Sequence, residues 1–432
     1  MIAGSPLRVF RLTEGGARVI SDAETQDVDP TSAQQALLDR FVDVGALHPL
    51  PTDAPFTVDD VTIVVPAYNR LPTWISAQTI IVDDGSSPPL AAAQLRHEIN
   101  RGPGAARNTG LAQVTTPLVA FVDSDVSVTS KAWLEPLLAH FADERVALVA
   151  PRIASAPGTT WLAAYEQRNS PLDLGNEPAR IAAGTRVSYV PAAAIVCRTD
   201  AVRAIGGFDE SLRTGEDVDL VWRLRAAGQQ CRYEPSAVVQ HQPRGSLREL
   251  VRQRFGFGRS AAPLAVLHPG ALAPVRLNVW SALVWALVLL RRPLLAIAVL
   301  ASAVVALSCK LRDVPASESA RLAGLGTLAA GRQLADATTR VWWPMAALAA
   351  LAIRRSRLPI AAAILAPAAA TALRQRSAQP LIDAPVQLLD RMAYGAGVWA
   401  GVVSAGDLAA LAPQISAHST HTESGTKPQR IS

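Results

Sequence analysis

Two aspartates separated by one residue, Asp123 and Asp125, close the apolar run Val119-Ala120-Phe121-Val122. Carboxylates at the end of a buried strand suit a hard divalent cation carrying a diphosphate. Successive strand residues face opposite ways, so an extended chain aims Asp123 and Asp125 to one side, with Ser124 between them. A strand that simply stops at a polar turn is the other reading. Three more clusters bear on the choice. Asp83-Asp84-Gly85-Ser86 offers carboxylates to a base and ribose, or a solvated turn. Gly102-Pro103-Gly104 with Arg107 offers a helix N-terminus and a cation to phosphate, or a proline-initiated helix with an exposed arginine. Gly215-Glu216-Asp217-Val218-Asp219 places three acids in one first turn. Capping and the helix dipole account for at most two of them, which leaves one for proton transfer. His241 ends the run Ala237-Val238-Val239-Gln240. A lone histidine after a strand is ordinarily structural. Beside Asp125 it would complete a mixed oxygen and nitrogen shell, which slightly favours Mn²⁺ over Mg²⁺. No Ser-His-Asp or Cys-His pattern supplies a nucleophile.

The elements that must hold these residues alternate between 58 and about 245. Apolar strands are expected at Val61–Pro66, Thr79–Val82, Val119–Val122 and Val146–Val149, with helices opening at Gly102 and Ser130. That alternation predicts a doubly wound α/β sheet whose strand ends carry the acids. The connection from the first strand to the second, Ala67 to Gln78, has about twelve residues, near the minimum for a crossover with a helix. A very short helix or an irregular path is expected there. Ahead of the sheet, residues 1–56 read as a small module. Leu7 to Leu12 alternates like a strand, and Thr31 or Ser32 caps a helix with an apolar face of Leu37, Leu38, Phe41 and Val42, stopped at Gly45. Pro49, Pro51 and Pro55 mark a linker. The module is either winged-helix-like or a packing extension of the next domain.

The 432 residues leave room for two or three domains. Half are apolar, and the mean hydropathy of +0.20 is high for a purely soluble chain. The excess is concentrated in 261–412. Leu277–Leu290 and Leu294–Cys309 are apolar and split by Arg291-Arg292-Pro293; Val341–Ile353 and Leu358–Leu373 repeat the layout around Arg354-Arg355-Ser356-Arg357. Each run is shorter than the roughly 20 residues that span a bilayer. If each did span, with the N-terminal part inside, both arginine clusters would lie outside, against the positive-inside tendency. Short hydrophobic hairpins in the cytoplasmic leaflet are therefore expected, with buried helices of a soluble domain as the alternative. Residues 413–432 read as a disordered tail. The net charge of +5 suits an anionic membrane or a phosphate-bearing substrate. No aromatic-interleaved basic run argues for nucleic acid. Three scattered cysteines, Cys197, Cys231 and Cys309, indicate neither a disulfide framework nor zinc. The N-terminus lacks the apolar core of a signal peptide, so the cytoplasmic face of the cell membrane is the expected location.

VTIVVPAYNR, IIVDDGS, NRGPGAARNTGL, VAFVDSD, GGFDESLRTGEDVDLVWRL and VVQH occur in this order. Together, over residues 60 to about 260, they resemble the inverting family 2 glycosyltransferases with a GT-A fold. ARNTGLAQVTTPLVAFVDSD, TRVWWPMAALA and RMAYGAGVWAG narrow the resemblance to the subgroup acting in mycofactocin biosynthesis. That subgroup carries an N-terminal segment similar to small peptide-recognition domains. The resemblance implies a GT-A core at 57–260 and roles by position. Pro66, Tyr68, Asp84, Gly102, Arg107, Asp123 and Ser124 would hold the donor. Asp123, Asp125 and His241 would hold Mn²⁺ or Mg²⁺, with Asp125 the more direct ligand. Asp217 would be the catalytic base. The implied donor is UDP-glucose, the acceptor the peptide-derived premycofactocin core, and the product a β-linked oligoglucose chain. A polyprenyl-phosphate or cell-wall acceptor, or a non-catalytic peptide-binding role, are the alternatives. The chain departs from the family pattern in its shortened first crossover, in a compressed stretch from Ala93 to Asn100, and in the missing opening strand of the module, which reads as a truncated start.

Overall fold

The computed structural model describes residues 1–25, 30–51, 53–76, 78–128 and 130–416. Its chain divides into two units, Met1–Leu250 and Val251–Ser432. The first opens with an antiparallel hairpin, β1 (Ile2–Ala3) and β2 (Arg8–Val9). The strand expected over Leu7–Leu12 is thus only two residues long, and it has a partner before it. Two helices follow, α1 (Glu14–Thr25) and α2 (Ser32–Asp43). The Gln34 side chain reaches back to the Thr31 N–H at 2.8 Å, a capping-box contact that fixes the start of α2. Gly45, at φ +67°, supplies the left-handed residue that ends it. Phe41 is buried and packs against Phe10, ring centroids 4.5 Å apart.

Among the described residues, nine strands make one sheet. They are β3 (Val61–Ala67), β4 (Thr79–Asp84), β5 (Leu95–His97), β6 (Leu118–Val122), β7 (Val126–Ser127), β8 (Val146–Ser155), β9 (Ala179–Arg180), β10 (Ala194–Arg198) and β11 (Gln230–His241). The order is β5-β4-β3-β6-β10-β8-β11-β7, with β9 also paired to β11. β5, β4, β3 and β6 run parallel. β10 is antiparallel to both β6 and β8, so the sheet is mixed. β3 and β6 are buried on both faces, which is why each reads as an unbroken apolar run. The path from β3 to β4 contains no helix among its described residues. Instead Leu71 and Trp74 pack on the core, and the Trp74 indole N–H donates to the Val126 carbonyl at 2.8 Å. The compressed stretch after β4 still makes the three-residue strand β5.

Helices cover the sheet in chain order: α3 (Pro103–Leu111), α4 (Glu135–Leu138), α5 (Trp161–Asn169), α6 (Thr199–Ala204) and α7 (Glu216–Ala226). α3 lies so close to β3 that a Cβ on Gly110 would come within 2.4 Å of Val64 Cγ1. α8 (Leu247–Arg259) carries the chain into the second unit.

There α9 (Ala261–Leu267) packs on α15 (Gln379–Ala405) through small side chains, Ala261, Ala262, Ala265, Val398 and Val402. Between them run α10 (Val279–Leu289), α11 (Pro293–Lys310), α12 (Ala316–Arg340), α13 (Trp343–Ala352) and α14 (Arg357–Gln375). α10 packs on α11 and α13 on α14 as helical hairpins. Arg291 and Arg292 sit at one tip, Arg354, Arg355 and Arg357 at the other, all exposed. Pro293–Lys310 and Arg354–Gln375 are long and apolar enough to cross a membrane by length and composition. Within this unit a short parallel pair is made by β12 (Arg276–Asn278) and β13 (Gln414–Ser416). β13 lies at the start of the expected tail 413–432, and residues 417–432 of that tail lie outside the described residues.

Candidate active site

β6 delivers Asp123 at its carboxyl end, but the chain does not stay extended to Asp125. The Val126 N–H donates to the Asp123 carbonyl at 3.0 Å, closing a turn over Ser124 and Asp125. The two carboxylates meet different partners, and the turn replaces the extended path that was expected between them. Asp123 Oδ1 accepts from Arg107 Nη2 at 2.7 Å. Asp125 Oδ2 lies 3.1 Å from His241 Nε2 and 3.4 Å from Arg244 Nη2. Strand pairing accounts for the second arrangement: β7 runs antiparallel to the end of β11, with His241 opposite Val126. The Gln242 N–H donates to the Asp125 carbonyl at 3.1 Å and locks the pair.

Arg107 is not a phosphate ligand in this geometry. It is buried, its Nη1 donates to Glu216 and its Nη2 to Asp123, both at 2.7 Å, and the guanidinium lies over the Phe208 ring. The two carboxylates outweigh burial and raise its pKa further. Its charge is spent joining α3, β6 and α7. Gly102 caps α3 at φ +101°, where its N–H donates to Asp84 Oδ2 at 2.8 Å. Asp84 Oδ1 accepts from the Arg101 N–H at 2.8 Å and lies 2.7 Å from His97 Nδ1. Asp84 is thus buried and shapes the loop before α3. Asp83 is likewise buried, taking N–H groups from Ser86 and Leu90 and the Arg96 side chain. Tyr68, immediately after β3, is 53% exposed, and Pro66 and Ser124 are partly accessible.

The acids of α7 divide by partner. Glu216 pairs with Arg107, and Asp219 with Arg223 at 2.7 Å. Asp217 meets backbone N–H groups, Val218 N at 2.8 Å and Ala192 N at 3.3 Å. Burial, reinforced by Glu216, pushes its pKa up to about 7. A carboxylate poised near neutrality can take a proton from a hydroxyl. The segment before β10 gathers these groups: the Asp123 N–H donates to the Ala193 carbonyl at 2.9 Å while Ala192 holds Asp217.

Burial and neighbouring charge also set the other two aspartates apart. Burial pushes Asp123 up, Arg107 opposes and Asp125 adds, leaving it raised. Burial also pushes Asp125 up, but the hydrogen bond and charge of His241, then Arg244 and Arg70, outweigh it and hold it below its ordinary value. Asp125 therefore stays ionised, as a metal ligand must. Two cis ligands of an octahedral ion at Mg²⁺-like distances stand about 3.0 Å apart, close to the Asp125–His241 separation. The pair fits one edge of a Mg²⁺ or Mn²⁺ shell. Among the described residues no three His, Cys, Asp or Glu side chains converge on a metal position. Such ions commonly take their remaining ligands from phosphates and water. Sequence reasoning missed Arg244 and the Glu216–Arg107 pairing; the arginine three places after His241 was the available signal for the first.

A mixed sheet with acids gathered at its strand ends is the frame of a sugar-nucleotide transferase, and this chain is a GT-A glycosyltransferase that belongs to glycosyl transferase family 2, whose model matches residues 62–206. The pre-mycofactocin glycosyltransferase of Mycobacterium tuberculosis is 40% identical to it, over 96% of this chain and 94% of its own length. The succinoglycan biosynthesis protein ExoO of Rhizobium meliloti is 29% identical over 50% of this chain and 70% of its own. Among solved structures, the mannosyltransferase PcManGT of Pyrobaculum calidifontis, in complex with GDP-Man and Mn²⁺, is 16% identical. It covers 91% of this chain and 99% of its own, with a TM-score of 0.44.

Proposed function

We propose that this enzyme transfers glucose from UDP-glucose to premycofactocin with inversion, building a β-linked oligoglucose chain at a membrane surface. The observation that carries the reading is the isolation of Asp217, the one α7 acid matched to backbone rather than to an arginine. In its ionised form Asp217 accepts the proton of the acceptor hydroxyl as that oxygen attacks the anomeric carbon from the face opposite the leaving diphosphate. The new C–O bond forms as the bond to UDP breaks, in one displacement that inverts the centre. Asp125 and His241 would hold a Mn²⁺ or Mg²⁺ ion, which when bound neutralises charge on the departing diphosphate. Arg107 positions Asp123 through its 2.7 Å hydrogen bond and offsets part of the upward push that burial gives that carboxyl. Tyr68 and Pro66 would meet the base, a role their accessibility supports, and Asp84 would act by fixing the loop that opens α3. The 40% identity across nearly the whole chain to a pre-mycofactocin glycosyltransferase supports this acceptor.

The hairpins support peripheral attachment. α10 has 11 residues and α13 has 10, so each rises about 15–17 Å, against roughly 30 Å of hydrocarbon. Neither hairpin crosses on both arms, and a tip bearing arginines belongs among headgroups. Exposed Leu294, Leu348, Leu351 and Leu358 give the apolar face. That face also favours a second reading, a lipid-linked acceptor. Purified protein with Mn²⁺ and UDP-glucose should add hexose-spaced masses to premycofactocin, and Asp217→Asn should not. Transfer to a polyprenyl phosphate with none to premycofactocin would establish the second reading instead.

A further inference from the structure

The edge formed by Asp125 and His241 already has a cation lying across it. Arg244 Nη2 stands 3.4 Å from Asp125 Oδ2 and 3.4 Å from His241 Nε2. Both contacts are long for hydrogen bonds from a charged donor, and Arg244 Nε is buried with no hydrogen-bond partner. The backbone beneath is held firmly: the Arg244 N–H donates to Glu166 Oε2 at 2.5 Å, and the Gly245 N–H to Glu249 Oε2 at 3.1 Å. The anchor is fixed while the guanidinium is loosely seated, so the side chain can leave without disturbing a strand or helix. The other cation near Asp125, Arg70, is occupied by Gln242 at 2.6 Å.

We infer that Arg244 is a tethered substitute for the divalent cation, occupying the Asp125–His241 edge when no donor is bound and yielding it only when metal and nucleoside diphosphate arrive together. The inference rests on the metal reading of this site given above. A dication and a guanidinium on one edge repel strongly at this separation. Two protein ligands alone give the ion little with which to evict the arginine. A diphosphate changes both sides of that balance, because it brings further oxygen ligands and a counter-charge for the displaced guanidinium. Metal and nucleotide binding are then positively coupled, and the coupling is reciprocal. The resting enzyme is thereby protected from free divalent cations.

The test is Mn²⁺ binding by the full-length protein, followed through the paramagnetic resonance of free Mn²⁺, with and without UDP. Arg244→Gln should bind Mn²⁺ alone at least about tenfold more tightly than the unaltered protein, a change of the size expected when one competing charge is removed. The enhancement by UDP should shrink in proportion. Arg244→Lys should behave like the unaltered protein, and His241→Ala placed in the Arg244→Gln background should abolish the gain. Unchanged or weaker Mn²⁺ binding by Arg244→Gln, alongside normal Mn²⁺ binding with UDP, would overturn the inference and leave the metal site standing. A gain that survives loss of His241 would overturn it too. Absence of Mn²⁺ binding even with UDP would remove both the inference and the metal reading beneath it.

Discussion

Asp217 carries the sharpest predictions at the scale of single residues. Its raised pKa means the proposed base is protonated, hence idle, below about 7. kcat/KM should therefore rise with pH through neutrality, and a flat profile from pH 5 to 8 would contradict its role. Asp217→Asn should lower kcat by about 10²- to 10⁴-fold with UDP affinity preserved, measured by calorimetry. Stability should respond in the opposite sense. The folded protein holds the Asp217 proton more tightly than the unfolded chain, so this group's contribution falls as pH rises from the ordinary carboxylate value toward 7. Asp217→Asn lacks that loss and should melt above the unaltered protein at pH 8, with the gap closing toward pH 4. Arg107 behaves differently because it joins two carboxylates out of water. Arg107→Met leaves buried Glu216 and half-buried Asp123 without their cation, and urea unfolding should show a loss of about 3 kcal/mol.

At the scale of elements, the seat of α3 on β3 is decided by one missing methyl. Gly110→Ala drives a Cβ into Val64 and should cost about 1–3 kcal/mol by overpacking. Val64→Ala in the same molecule should recover part of it, and a double-mutant cycle on denaturation midpoints checks this. Elements were also where the sequence was most readable. β3, β4 and β6 appear as continuous apolar runs because both faces are buried, and α2 was bounded by its cap and by Gly45. β10 went unread, although it sits at the centre of the sheet and makes it mixed, since an antiparallel insertion leaves no local mark. The site was legible as a set of acids but not as a wiring diagram. That Arg107 serves Glu216 and Asp123 depends on residues brought together from three elements. The turn at Ser124 depends on β7 pairing with β11, more than a hundred residues away in the chain.

For the molecule as a whole, composition located the apolar helices, which pair as hairpins, but the second arm of each is longer than the run read from the sequence and long enough by length and composition to cross a membrane. If the arginine tips lie among headgroups, binding to vesicles containing phosphatidylglycerol should exceed binding to neutral vesicles and weaken with salt. Replacing Arg291, Arg292, Arg354 and Arg355 with glutamine should remove about 1 kcal/mol of binding per residue, measured by flotation, while the affinity for neutral vesicles holds. Equal binding to both vesicle types by the unaltered protein would contradict the placement.

The helix-free crossing between β3 and β4 has an optical consequence. Its Trp74 indole is hydrogen-bonded to the carbonyl that directly follows Asp125. Any rearrangement of that turn alters the polarity and hydrogen bonding felt by one indole. The protein thereby contains its own chromophore beside the proposed metal site, and a variant retaining only Trp74 of its nine tryptophans would convert loading of that site into a change of colour in emission.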